Sequence, residues 1–195
     1  MVTIRKLFRY LYDSDYRFLI NSYRFGMYKE MSDEAYLKRK FKACFGYVPD
    51  LENPRTLNEK LQWLKLHDRK DIYTTMVDKY EAKKYVGHVI GEKYVIPTLG
   101  VWDHFDDIDF SKLPMSFVLK CTHDSGSVVL VRDKNHWDKD AAKKLLERGL
   151  SRNYYWSGRE WPYKNVKPRI IAEAYMGDGV IADLRDFKLQ CFDGY

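Results

Sequence analysis

Lys120 lies inside an apolar run, Phe117-Val118-Leu119-Lys120-Cys121, where a charge is costly unless it is paired. The next residues, Thr122-His123-Asp124-Ser125-Gly126, form a short polar stretch, and a second apolar run follows at Ser127–Arg132 (SVVLVR). Two such runs around a tight polar turn predict a β-hairpin. A lysine on one strand of a hairpin whose tip exposes backbone N–H groups is a phosphate-binding arrangement. The N–H groups of Ser125-Gly126-Ser127 would make a nest, and the ammonium would supply a point charge. The same lysine also suits a sheet edge, with its stem packed and its head in water.

Other chemistry is thinner. There is no GxxxxGK[ST], GxGxxG, HExxH or GxSxG in the chain, so P-loop, Rossmann, zincin and nucleophile-elbow sites are not supported. The five histidines fall at 67, 88, 104, 123 and 136, outside metal-ligand spacing, and suit surface or capping positions. Asp107-Ile108-Asp109 could grip a divalent ion, as Asp-x-Asp does for a nucleotide-sugar. Yet the pattern recurs at Asp13-Ser14-Asp15 and Asp138-Lys139-Asp140, and a solvated acidic turn accounts for it. Tyr154, Tyr155 and Trp156 run into Arg159-Glu160-Trp161-Pro162-Tyr163. These rings suit a sugar or a base, or a loop that packs them onto the domain.

The elements that must position these groups can be read from periodicity. Ile4, Leu7, Phe8, Leu11 and Tyr12 recur at helical spacing with Arg5, Lys6 and Arg9 on the other side. That helix either docks on the main domain or lies on an anionic membrane surface. Residues 32–45 form a second helix with Ser32 as N-cap. Thr56, with Glu59 three residues on, opens a third helix whose face carries Leu57, Leu61, Leu64 and the stem of Lys65. A fourth covers about 72–87, and a short strand is expected at Tyr94–Ile96. Residues 103–114 are acidic and turn-like. After the hairpin come a helix at Asp138–Leu150, a strand at Arg169–Tyr175 and a strand at Asp186–Phe192. Helices first and then strands with a helix among them give an α+β chain.

The length of 195 residues allows one domain with a substantial core. Hydrophobic residues at 45% and charged residues at 32% exclude a largely disordered chain. No apolar run is long enough to span a membrane, and the first residues do not form a secretory signal. Three widely spaced cysteines, Cys44, Cys121 and Cys191, argue for a reducing compartment and against a disulfide framework or zinc site. The net charge is +6. Residues 1–45 hold ten Lys+Arg against five Asp+Glu, and the rest is nearly balanced, which argues against a nucleic-acid binder. The expected location is the cytosol, with the basic helix at residues 4–12 as a peripheral contact with the inner face of the membrane.

Six segments in order, LNEKLQWLKLHDR, DKYEAKKYV, YVIPTLGVWD, FVLKCTHDSG, REWPYKN and DFKLQCFDG, resemble the TupA-like ATP-grasp family over roughly residues 40–195. The resemblance implies an ATP-grasp-like α+β fold: an N-terminal helical segment (1–50), the first part of the ATP-grasp-like domain (51–113), a small antiparallel-sheet nucleotide-binding subdomain (114–176), and the start of an incomplete C-terminal lobe (177–195). It implies that Lys79 and Lys120 reach the nucleotide phosphates. His123, Asp124, Ser125, Gly126 and Ser127 would form the loop over them. Glu173, Ala174 and Tyr175 would form the hinge that reads the adenine edge. Lys188, on the strand after the hinge, would face the phosphates or the acceptor as the catalytic lysine. ATP and Mg²⁺ are the implied cofactors, with the metal ligands falling on family strands beyond residue 195 and none within this chain.

The activity so implied is an ATP-dependent carboxylate–amine ligation in cell-surface polysaccharide assembly. A nucleotide and a sugar or carboxylate acceptor would be the partners, and a chain ending here would not complete the reaction alone. Many family members carry the looser label of glycosyltransferase, and a nucleotide-sugar transferase is the first alternative. The second is a non-catalytic nucleotide-binding or scaffold module at the membrane face.

Overall fold

The structure is a computed structural model that describes residues 4–177 and Leu189. Among these residues the chain begins as helices whose ends are set by capping side chains. Helix α1 (Ile4–Tyr12) turns straight into α2 (Ser14–Phe25). Asp13 makes the break, since its carboxylate accepts the N–H groups of Asp15 (3.0 Å) and Tyr16 (2.8 Å). Gly26, at φ +60°, closes α2 in the left-handed conformation. Ser32 caps α3 (Asp33–Phe45). Thr56 and Glu59 form the expected capping box on α4 (Leu57–His67). Leu57, Leu61 and Leu64 stay exposed, however, and the buried residue of α4 is Glu59. Its carboxylate accepts the backbone N–H groups of Asp50, Arg55 and Thr56 and the Thr56 hydroxyl.

Two expectations need correction. The helix expected over 72–87 is two helices, α5 (Asp71–Val77) and α6 (Lys79–Ile90). Asp78 leaves helical geometry to cap α6, accepting from the N–H groups of Tyr80 and Glu81. The strand expected at Tyr94–Ile96 begins later, as β1 (Thr98–Trp102), and Glu92–Tyr94 is a 3-10 turn. Pro97 has no N–H to donate, but its carbonyl accepts from Ala174 (3.0 Å) and starts the pairing. Helix α2 was not foreseen. The strand expected at Asp186–Phe192 lies outside the described residues.

The remaining elements fall close to where the pattern put them: β2 (Phe117–Cys121), β3 (Val128–Val131), α7 (Lys139–Leu150) and β4 (Ile170–Ala174), with a one-turn helix α8 (Tyr155–Gly158) before β4. The four strands form one antiparallel sheet in the order β1-β4-β2-β3. One face is the core. Phe117, Leu119 and Cys121 pack with Val131, Ile170 and Ala172 against Ala142 and Leu146 of α7 and against Phe105, Ile108 and Leu113. Strand alternation sends Val118, Lys120 and Glu173 to the opposite face, with the exposed Val128 and Leu130 beside them. The fold is thus α+β, as expected. No helix among the described residues is long and apolar enough to cross a membrane.

Candidate functional site

The open face of the sheet carries one charged cluster. Strand register places Val118 opposite Glu173 and Lys120 opposite Ile171, so Lys120 and Glu173 are diagonal neighbours on one face, within reach of long side chains. Lys120 Nζ pairs with Glu173 Oε2. The other oxygen, Oε1, takes Lys83 Nζ at 3.0 Å. The Glu173 side chain is 4% exposed, whereas Lys120 is 24% and Lys83 16% exposed. A buried carboxylate held between two cations is electrostatically satisfied, and its cations keep an open side. Lys83 was missed in the sequence. It stands one helical turn after Lys79 on α6, and that spacing is the signal that could have found it.

Lys79 points to the hairpin turn rather than to the Lys120 cluster. Its ammonium donates to the carbonyls of Cys121 (2.8 Å), Thr122 (3.5 Å) and Asp124. Its backbone N–H also donates to Thr122 O at 3.0 Å. Burial pushes the Lys79 ammonium below the usual lysine value, with Asp124 opposing. The N-terminus of α6 therefore holds the turn from one side. From another, Thr122 N–H donates to Arg169 O (2.9 Å). Arg169 in turn pairs with Asp78 (2.7 Å) and Glu81 (3.0 Å).

From the third side, His123 Nε2 lies 3.1 Å from Gly149 O and 3.0 Å from Arg152 O at the end of α7. Both partners are acceptors, so Nε2 carries a hydrogen. Nδ1 is buried without a partner. Asp124 is buried too. One of its oxygens accepts the Ser127 hydroxyl, and the other, Oδ1, has no hydrogen-bond partner. The N–H groups of His123, Asp124, Ser125 and Gly126 donate to no group among the described residues. Gly126 sits at φ +104°, a conformation that glycine adopts without strain. The close approach of α7 to this turn depends on Gly149, where a Cβ would meet Ser127 Oγ at 2.5 Å and Cys121 Sγ at 2.7 Å.

At the end of β4, Ala174 N–H is engaged with Pro97 O, and the Tyr175 ring lies against Gly177. A hollow of about 430 Å³ between Tyr80, Lys83 and Lys84 of α6 and residues 95–98 adjoins this strand end. A second cavity, of about 290 Å³, lies beyond Asp124 and Ser125 and is lined also by Lys29, Arg152 and Trp156. Lys188 lies outside the described residues. Arg159 is fully buried and belongs to packing, while Trp156 and Tyr154 line the second cavity, so the aromatic stretch divides between the two readings. Asp109 caps a 3-10 turn, accepting from Ser111 N–H (3.1 Å), and pairs with Lys112 (3.3 Å). Among the described residues no group of three His, Cys, Asp or Glu could hold a metal ion.

The donor set around Lys120 fits an anionic polyphosphate. It comprises two partly exposed ammonium groups, a turn with four uncommitted N–H groups, and the apolar surface of Val118, Val128 and Leu130 beside them. The family model described as TupA-like ATPgrasp matches residues 59–195. No curated protein and no solved structure matches the chain.

Proposed function

The chain belongs to the TupA-like ATP-grasp family, and we propose that it binds the phosphates of ATP on the open sheet face, as a carboxylate–amine ligase of cell-surface polysaccharide assembly. ATP-grasp proteins generally bind ATP and Mg²⁺. The observation that carries the reading is the Lys83–Glu173–Lys120 cluster beside the Asp124–Ser127 turn. Lys120 would meet the phosphates directly, with Lys83 beside it. Lys79 would act one step back, by engaging the carbonyls of the turn and leaving its N–H groups for the phosphates. Glu173, Ala174 and Tyr175 would border the base, and Lys188 would act from the strand beyond.

In the reaction proposed, a carboxylate oxygen attacks the γ-phosphorus of ATP, and ADP leaves. The product is an acyl phosphate, and an amine then displaces inorganic phosphate to form an amide. The residues named would bind and orient the nucleotide and offset its charge, which is the main contribution a protein makes to phosphoryl transfer. The nucleotide-sugar alternative would place its metal at Asp107 and Asp109, yet Asp109 is already engaged as a cap and with Lys112.

The test is calorimetric titration of the chain with ATP and Mg²⁺ beside UDP-glucose and Mn²⁺. Saturable ATP binding that Lys120→Ala weakens far more than Asp107→Ala is expected. Binding of the sugar nucleotide alone, weakened by Asp107→Ala, would overturn the ligase reading in favour of the transferase.

A further inference from the structure

Helix α1 is amphipathic in the reverse sense to a docked helix. The side it gives to the protein is polar. Tyr10, its least exposed residue, donates its hydroxyl to Asn21 Oδ1 of α2 at 2.7 Å. Arg9 lies over the Tyr16 ring at 4.4 Å and pairs with Asp13 at 3.3 Å. The apolar side points away: Ile4, Leu7, Phe8 and Leu11 are each more than half exposed, and Tyr12 extends the same face. No residue of α1 is buried. The orientation is held. Arg17 of α2 donates to the last carbonyls of α1, Tyr10 O (3.2 Å) and Leu11 O (2.8 Å), where a cation also complements the helix dipole.

The charge pattern selects what covers this face. The helix has Arg5, Lys6 and Arg9 and no acidic residue. On a helical projection Arg5 borders the apolar arc, which Ile4 centres, and Arg9 and Lys6 lie on the opposite side. An apolar partner protein would need only the arc. A bilayer with anionic headgroups needs both features, an arc that enters the acyl boundary and cations on the polar side at the headgroup level. We infer that α1 is an interfacial anchor that seats this chain on an anionic membrane surface, with α2 holding it in the inserting orientation. The inference is independent of the ligase reading, since it uses no residue of the nucleotide face.

The experiment is co-sedimentation of the full chain with vesicles of phosphatidylcholine alone and of phosphatidylcholine mixed with phosphatidylglycerol. Binding is expected to the mixed vesicles and to fall as salt is raised. The variant Leu7→Ser/Phe8→Ser/Leu11→Ser keeps every charge, and its thermal melt should be unchanged, because these side chains are already exposed. It should lose vesicle binding. Arg5→Gln/Lys6→Gln should weaken binding by more than about tenfold. Failure to bind the mixed vesicles, equal binding to both vesicle types, or unchanged binding by the serine variant overturns the inference. So does a lipid-free dimer that the serine variant dissolves, because a second copy would then be the occupant.

Discussion

Two carboxylates, Asp33 and Glu173, each sit between two cations, with the burial inverted. At Asp33 the cation is the deep member. Arg159 is 2% exposed and Asp33 20%, with Arg69 at the rim on the second oxygen. The Arg159 guanidinium also donates to Tyr28 O (2.7 Å) and Met31 O (3.3 Å), and lies 4.6 Å from the ring centres of both Tyr36 and Trp156. At Glu173 the carboxylate is the deep member, and both cations are lysines with an open side. A planar guanidinium bonded through both terminal nitrogens and lying over two rings ties the end of α8 to α3 and the loop before it, and has little freedom to respond to a ligand. Two flexible ammonium groups over a buried carboxylate can turn towards an incoming anion while the carboxylate remains paired. The same charge pattern thus serves cohesion in one region and, as proposed, binding in the other.

The largest expected effect tests the cohesive half. Arg159→Leu leaves Asp33 without its deep partner and removes a donor from each of two carbonyls, Tyr28 O and Met31 O. Urea unfolding should show a loss of about 3–5 kcal/mol, and Arg159→Lys should recover little of it, because an ammonium cannot replace the stacked fork. At temperatures where the variant is folded, its ATP affinity should match the wild type. A large affinity loss in a folded variant would break the division between the two clusters.

Lys120→Ala tests the other half. Glu173 keeps Lys83, so stability should change little. ATP binding should weaken by roughly 10–100-fold, the value of a hydrogen bond to a charged group. Lys83→Ala should weaken it less, and a double-mutant cycle of the two lysines should be non-additive because they share one carboxylate. A Lys120→Ala variant that loses stability but keeps its nucleotide affinity would make this cluster another piece of scaffold.

The sequence made one of these clusters half visible and hid the other. Lys120 could be found because a charge in FVLKC breaks an apolar pattern. Its partner Glu173 came through the family resemblance, and Lys83 was lost among the charges of α6, where the spacing of one turn from Lys79 is a weak mark. Arg159 was seen, but as a member of an aromatic stretch suited to ligands, since its aromatic partner Tyr36 and its carboxylate Asp33 lie more than a hundred residues away. The sheet and α7 were legible because alternation and helical spacing are local. Helix α2 was not: its buried residues include Phe18, Asn21 and Ser22, a mixture that forms no apolar stripe. The break at Asp78 and the late start of β1 follow from tertiary partners, Arg169 for the first and Ala174 for the second.

A smaller effect sharpens the comparison at the turn. Gly149→Ala forces a methyl group against Ser127 and Cys121 at distances that require something to move. A cost of about 1–3 kcal/mol is expected. ATP affinity should fall with it, because Ser127 braces the turn through Asp124. A stability loss with no change in affinity would show that the turn does not need α7 in order to bind.

Cys121 gives the smallest effect and the most local one, because its side chain lies on the core face of the strand that carries Lys120. Burial, reinforced by Asp124, pushes its thiol up to about 12 from an ordinary 9.0. The folded chain therefore holds this proton at pH values where the unfolded chain releases it. Its contribution to stability is constant below pH 9.0 and falls as pH rises from there towards 12. Lysines whose ammonium groups are depressed by burial, Lys79 among them, titrate with the opposite sign, so the signal is the difference between wild type and Cys121→Ala. That difference should be flat from pH 7 to 9 and should then drift in favour of the variant. At pH 8, iodoacetamide followed by peptide mapping should modify the exposed Cys44 and leave Cys121 intact, since only about one buried thiol in ten thousand is ionised there. Rapid modification of Cys121 in the folded protein would mean that the core face opens locally. The open face of the sheet would then be built on a mobile support.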